Sequence, residues 1–277
     1  MSLPENVSTF LELRPRERIA ALLDTGAPSI ELVGPFDRVR SPWLPLQGVV
    51  PQSDDGVCVV RGYVGRKEMV AIAIDPAFEG GSIGEVGGSK IAKALALANE
   101  SCVNGRPIAA LLLLETGGVR LSEANLGLAT IAEIQREIVA LREHVPVIAV
   151  IAGPVGCFGG MSLAAGLCTY IIGTRYGRLG MNGPEVIEQE AGPQELDAGD
   201  RELVWSIYGC EARYEAGWID AIEPASQQGI VTAIRRVLNE GMKSVDRLKD
   251  AEGRLQAVDL LFSSRQGTTG AGVGIDS

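Results

Sequence analysis

At 277 residues, 46% hydrophobic but only 5% aromatic, the chain can bury a large core built mainly from Ala, Val, Ile and Leu. Its formal net charge of −10, with no run of Lys or Arg, argues against nucleic acid or an anionic membrane surface as a partner. Five widely spaced cysteines without a CxxC pair argue against a zinc site and a disulfide scaffold. The opening MSLPENVSTF has neither a basic nor an apolar leader segment, so the expectation is a reduced, cytoplasmic protein.

Ile19, Leu22 and Leu23 form an apolar stripe that predicts a helix over 8–24, with Pro15 in its first turn and Gly26 as its stop. Residues 27–56 carry five prolines and read as an extended surface connection. The apolar runs 57–64 and 69–74 flank Gly65, Arg66 and Lys67 as a β-hairpin. A glycine-dense loop, FEGGSIGEVGGSK at 78–90, leads into a helix to about 103 with Ile91, Leu95 and Ala98 on one face. A strand over 107–114 then ends in Gly117-Gly118. A helix over 121–143 carries Leu128, Ile131, Ile134, Ile138 and Leu141 at helical spacing. A strand over 146–151 ends in Gly159-Gly160, and a short helix and a strand over 168–173 complete the body. Helical patterns return at 200–209 and 226–240, and the Gly/Ser/Thr-rich residues 263–277 read as a disordered tail. The alternation of strands and helices predicts an α/β fold. Residues 145–174 hold no charge, but their two prolines and six glycines group as turns, so they read as strand–turn–helix–strand rather than a membrane span.

The two glycine pairs carry the chemical argument. A Gly-Gly turn after a buried strand leaves peptide N–H groups uncovered by side chains. Two such turns at the same end of neighbouring strands can aim two donors at one oxygen, the arrangement of an oxyanion hole. Gly117, Gly118, Gly159 and Gly160 are the candidate backbone donors; the same spacing equally suits ordinary tight turns. On this reading Gly160→Val abolishes activity without unfolding the chain. Cys157, beside Phe158 on the second turn, can touch a bound acyl group, or pack. Arg120 can orient a carboxylate or phosphate, or bridge Glu123 and brace the loop. Gly87, Gly88, Phe158 and Glu185 complete the candidate substrate contacts, although Glu185 also suits a helix N-terminus. No GxSxG elbow, P-loop or GxGxxG fingerprint occurs, and the sole histidine, His144, falls at a helix end.

RERIAALLDTGA, GGSIGEVGGSKIAKALALA, TGGVRLSEA, GPVGCFGGMS and GRLGMNGPEVIEQ, in that order, resemble the carboxyltransferase branch of the crotonase superfamily. The resemblance covers about four fifths of the chain and implies a crotonase-like (ClpP/crotonase) ββα superhelix over 57–262, preceded by a helix and connection over 1–56. TGGVRLSEANLG, GCFGGM and PEVIEQEAG followed by DRELVW resemble most the β-subunit family of biotin-independent malonate decarboxylases. The four-cysteine zinc ribbon of bacterial acetyl-CoA carboxylase β subunits has no counterpart here. The resemblance implies that, with a crotonase-like γ subunit, the chain decarboxylates a malonyl thioester to an acetyl thioester and CO₂. An acyl carrier subunit supplies the thioester on a phosphoribosyl-dephospho-CoA arm, and an α subunit exchanges acetyl for malonate. It implies no biotin, no metal and no cofactor attached to this chain. Two alternatives stay open: a biotin-dependent acyl-CoA carboxyltransferase subunit, and a non-catalytic scaffold half of such a pair.

Overall fold

The computed structural model describes residues 8–50 and 56–243. Two short helices, α1 (Ser8–Glu12) and α2 (Pro15–Leu22), stand where one was expected. The break is at Arg14: a residue before proline is pushed out of the helical region, and Arg14 sits at φ −70° and ψ 159°. Pro15 then opens α2, where a missing N–H costs nothing.

The connection that follows is more ordered than its prolines suggest. Residues Ile30–Val33 form a strand, β1, which pairs antiparallel with β2 (Val57–Val64). β2 and β3 (Lys67–Ile74) form the expected hairpin. The Asp24 carboxylate closes its turn, accepting from the N–H groups of Gly65 and Arg66 at 3.1 and 2.9 Å. The remaining strands are β4 (Ala109–Leu113), β5 (Val147–Ile151), β6 (Tyr170–Gly173) and β7 (Ala221–Ile222). The seven lie in the order β1-β2-β3-β4-β5-β6-β7, parallel from β3 onward.

Helices α3 (Glu85–Val103), α4 (Ala124–Leu141) and α5 (Gly160–Leu167) join consecutive parallel strands, α3 packing on α4 and α4 on α5. Of the predicted α4 stripe, Ile131, Ile134, Ile138 and Leu141 are buried, whereas Leu128 is exposed. Helix α9 (Gln227–Glu240) contacts α2 and strands β2 and β6. β4 and β5 are buried along their whole length, as strands covered on both faces must be, which explains their uninterrupted apolar sequence. Between β6 and β7 lie α6 (Pro184–Ala191), α7 (Arg201–Tyr208) and α8 (Cys210–Glu215). The six-residue α8 and two-residue β7 are too short to show a period and were not predicted.

The charge-free stretch 145–174 folds as β5, a turn, α5 and β6. Among the described residues no helix is long and apolar enough to cross a membrane. The expected tail over 263–277, and the end of the expected main domain beyond 243, lie outside the described residues.

Candidate functional site

Both glycine pairs emerge at the C-terminal ends of neighbouring parallel strands, where open α/β sheets place their ligands. After β4 the chain runs Glu115-Thr116-Gly117-Gly118, and after β5 it reaches Cys157-Phe158-Gly159-Gly160. The two loops are stitched together. Thr116 N–H donates to the Gly156 carbonyl at 2.7 Å, and Phe158 N–H to the Thr116 carbonyl at 3.0 Å. At the crossing Gly118 (φ 104°) and Gly159 (φ 61°) abut, each in a region that glycine alone enters freely. A Cβ on either would lie 3.1 Å from the Cα of the other.

The hydrogen bonds decide which donors are available. Gly117 N–H donates to the Gly80 carbonyl at 2.9 Å, and Gly159 N–H to the Met181 carbonyl at 2.7 Å. These two of the four expected donors are therefore engaged within the loop framework, which corrects their assignment to the oxyanion hole. Gly118 N–H turns back onto the Thr116 hydroxyl at 3.1 Å. Among the described residues the N–H groups of Val119, Gly160 and Met161 have no acceptor. The last two open α5, whose N-terminus favours negative charge. Val119 N lies 3.7 Å from where a Gly159 Cβ would stand, so free donors of the two turns lie near one another. Val119 was missed because nothing about a valine marks its peptide N–H as free.

The other candidates divide sharply. Cys157 is on the second turn but fully buried (0% exposed), and burial pushes its thiol well above the usual cysteine range. It therefore offers a ligand no exposed thiol surface. Cys157→Ala should leave kcat within about threefold, since a true general acid or nucleophile would cost a hundredfold or more. Steady-state turnover checks this, and a hundredfold loss with the fold intact would restore the thiol to the chemistry.

Arg120 is also buried and internally occupied. It pairs with Glu79 and Glu123, each at 2.9 Å, donates to the Ser82 carbonyl at 2.9 Å, and stacks over Phe78 at 5.1 Å. It braces the 78–84 loop against the first turn, each of its three nitrogens bonded within the protein. Glu123 meanwhile accepts from Glu85 N–H at 2.6 Å and so caps α3. Gly87 and Gly88 belong to α3 rather than to a ligand loop. Gly88 is small because α4 crosses there: a Cβ would fall 2.0 Å from the Thr130 hydroxyl. Phe158 is buried in a small cluster with Leu196, Val204 and Tyr208. Glu185 stands exposed in the first turn of α6, and His144 is exposed beyond α4.

Sequence spacing also missed what holds the first turn from below. Glu115 and Arg18, 97 positions apart, form a buried ion pair at 2.5 Å, with Arg18 donating also to the Leu11 carbonyl. Around the turns, Leu121, Leu163, Met181 and Val186 are large apolar side chains left exposed. A cavity of about 440 Å³ between β1 and α3 includes no residue of either turn. Among the described residues no cluster of three His, Cys, Asp or Glu could hold a metal ion.

Comparison with known proteins adds three findings. A family model, the carboxyl transferase domain, matches residues 13–209. The chain is 40% identical over 251 residues to the malonyl-S-ACP:biotin-protein carboxyltransferase MADC of Malonomonas rubra, covering 87% of this chain and 79% of that protein. Two solved structures of Pseudomonas malonate decarboxylase are similar. One is a hetero-tetramer in complex with malonate, with a TM-score of 0.83, 54% identity and 90% coverage of both chains. The other is an MdcD–MdcE hetero-dimer, with a TM-score of 0.75, 46% identity, and coverage of 92% of this chain and all of that one.

Proposed function

Since the chain belongs to the carboxyl transferase domain family, we propose that it is the β subunit of a biotin-independent malonate decarboxylase. In this reading it works with a γ-type partner on a malonyl thioester carried by an acyl carrier subunit. The observation that supports it best is the proximity of unengaged N–H groups, Val119 from one turn and Gly160 from the other, at the carboxyl ends of β4 and β5. The similarity to both Pseudomonas malonate decarboxylase structures supports the choice of reaction.

The chemistry follows from the donors. The thioester carbonyl oxygen sits between the Val119 and Gly160 N–H groups. The bond from the α-carbon to the carboxylate breaks, CO₂ leaves, and the electron pair moves through the α-carbon onto the thioester oxygen as an enolate. Each N–H hydrogen-bonds the enolate oxygen more strongly than the neutral carbonyl, and a donor of this kind is worth on the order of 10²–10³ in rate. The α-carbon then takes a proton from water or from the partner subunit, because the Cys157 thiol is sealed in the core. The exposed apolar rim of Leu121, Leu163, Met181 and Val186 suits a partner that closes the cleft and expels water. The thioester arm arrives with the carrier, so this chain needs no cofactor of its own.

A biotin-dependent carboxyl transfer is the second reading, and the 40% identity to a malonyl-S-ACP:biotin-protein carboxyltransferase favours it. Avidin separates the two. The chain co-expressed with its γ-type partner should release CO₂ from a malonyl thioester equally with and without avidin. Release only with a biotinyl acceptor, and its loss on adding avidin, would assign the chain to carboxyl transfer instead.

A further inference from the structure

Behind the second glycine turn lies a stack that none of the roles above uses. The Arg178 guanidinium sits 5.6 Å from the Phe158 ring centre, Phe158 meets the Tyr208 ring at 5.8 Å with the planes tilted by 58°, and Arg213 sits 5.9 Å from the Tyr208 ring. The rings are fixed by their surroundings. Gly180 presses against both, since a Cβ there would fall 2.5 Å from Tyr208 and 3.3 Å from Phe158. The cations are held by backbone rather than by acids: Arg178 Nε donates to the Pro154 carbonyl at 2.9 Å, and Arg213 Nε to the Leu179 carbonyl at 3.0 Å. Among the described residues Arg213 forms no ion pair; its contacts are the Tyr208 ring and the Leu179 carbonyl. Burial pulls its proton affinity below the ordinary arginine range, yet a guanidinium stays charged at neutral pH.

A partly buried cation without a counter-ion destabilises a fold, and in a protein of net charge −10 acids to neutralise it are not scarce. Such a charge earns its place where negative charge appears only transiently. We propose that Arg213 is a positioning residue for the chemistry at the second turn. Held by the Leu179 carbonyl and the Tyr208 ring, it keeps an uncompensated positive charge behind Phe158-Gly159-Gly160. That charge favours the enolate oxygen as it forms at the Gly160 N–H. Arg213 touches no reacting atom, so its effect reaches the site through the ring stack and the field it sets.

This rests on the reading of the two turns as an enolate site, and it is tested on the enolate directly. The complex of this chain with its γ-type partner is given acetyl-CoA in D₂O, and α-proton exchange is followed by NMR. CO₂ release from malonyl-CoA is measured in parallel. Arg213→Met should slow both by about tenfold in kcat with KM unchanged, as expected for a charge acting at medium range. Its Tm should hold or rise, because an unpaired buried charge has gone. Arg213→Lys should keep exchange within about threefold of wild type. An Arg213→Met complex that exchanges at the wild-type rate overturns the proposal. So does an Arg213→Lys complex as slow as Arg213→Met, which would show that packing rather than charge matters. A wild-type complex that exchanges protons but releases no CO₂ defeats the decarboxylase reading alone, and the exchange rates of the variants still decide for Arg213. A wild type that releases CO₂ without exchange keeps the decarboxylase reading, and the CO₂-release rates of the variants then decide for Arg213; one that does neither overturns both.

Discussion

Gly118→Ala is expected to reduce CO₂ release at least a hundredfold while the chain stays folded. The added Cβ would stand 3.1 Å from the Gly159 Cα and 3.2 Å from the Phe158 carbonyl oxygen, and both are backbone atoms that cannot swing aside. The φ of 104° is also one that an L-residue resists, at about 1–2 kcal/mol. The two turns must separate, carrying the Val119 and Gly160 donors apart, and a misplacement of about 1 Å at a reacting centre can cost 10²-fold. Steady-state CO₂ release alongside circular dichroism and Tm checks this. Full turnover in the folded variant would remove the enolate from this crossing. Gly160→Val behaves differently from the sequence expectation. Its Cβ would point not into the cleft but at Ile131 of α4, 2.8 Å from Cγ2, so that substitution pries α5 from α4 and confounds stability with catalysis.

Arg18→Met should destabilise the chain by roughly 3–5 kcal/mol, the cost of leaving one member of a buried ion pair without its partner. Glu115 and Arg18 are 4% and 8% exposed, so water cannot replace the lost contact. Glu115 immediately precedes Thr116-Gly117-Gly118, and turnover should fall along with Tm. The double variant Arg18→Met, Glu115→Leu removes both charges and should recover most of the stability, because apolar replacements of a buried pair are often neutral or better. Chemical denaturation of the single and double variants measures both effects. A single variant as stable as wild type would mean that the pair contributes nothing to holding the first turn.

The elements visible in the sequence were those with a long enough period. The α4 stripe, the β2–β3 hairpin and the buried runs of β4 and β5 are written in side-chain pattern, and the paired glycines mark where β4 and β5 turn. What pattern cannot carry is partnership at a distance. Arg120 reads as a possible anion ligand until Glu79, Glu123 and the Ser82 carbonyl are found around it. Gly88 reads as a ligand-loop glycine until Thr130 is seen crossing it. The availability of a peptide N–H is likewise invisible, because it depends on which carbonyl the tertiary fold brings up. Gly80 and Met181 take Gly117 and Gly159, and Val119 is left over.

The strand order β1 to β7 is also the order of synthesis. Each strand leaving a ribosome finds its neighbour already in place, so the sheet can grow by addition at one edge without waiting for distant segments, which is the kinetic difficulty of most parallel sheets. The two glycine turns, with the Met181 carbonyl that engages Gly159, would then exist in a nascent chain that ends before α6. The Arg213 stack would not, since α7 and α8 come later. A chain stalled between these points would have the crossing of the turns without the charge behind it, and assembly with a partner at that stage would close an unfinished site.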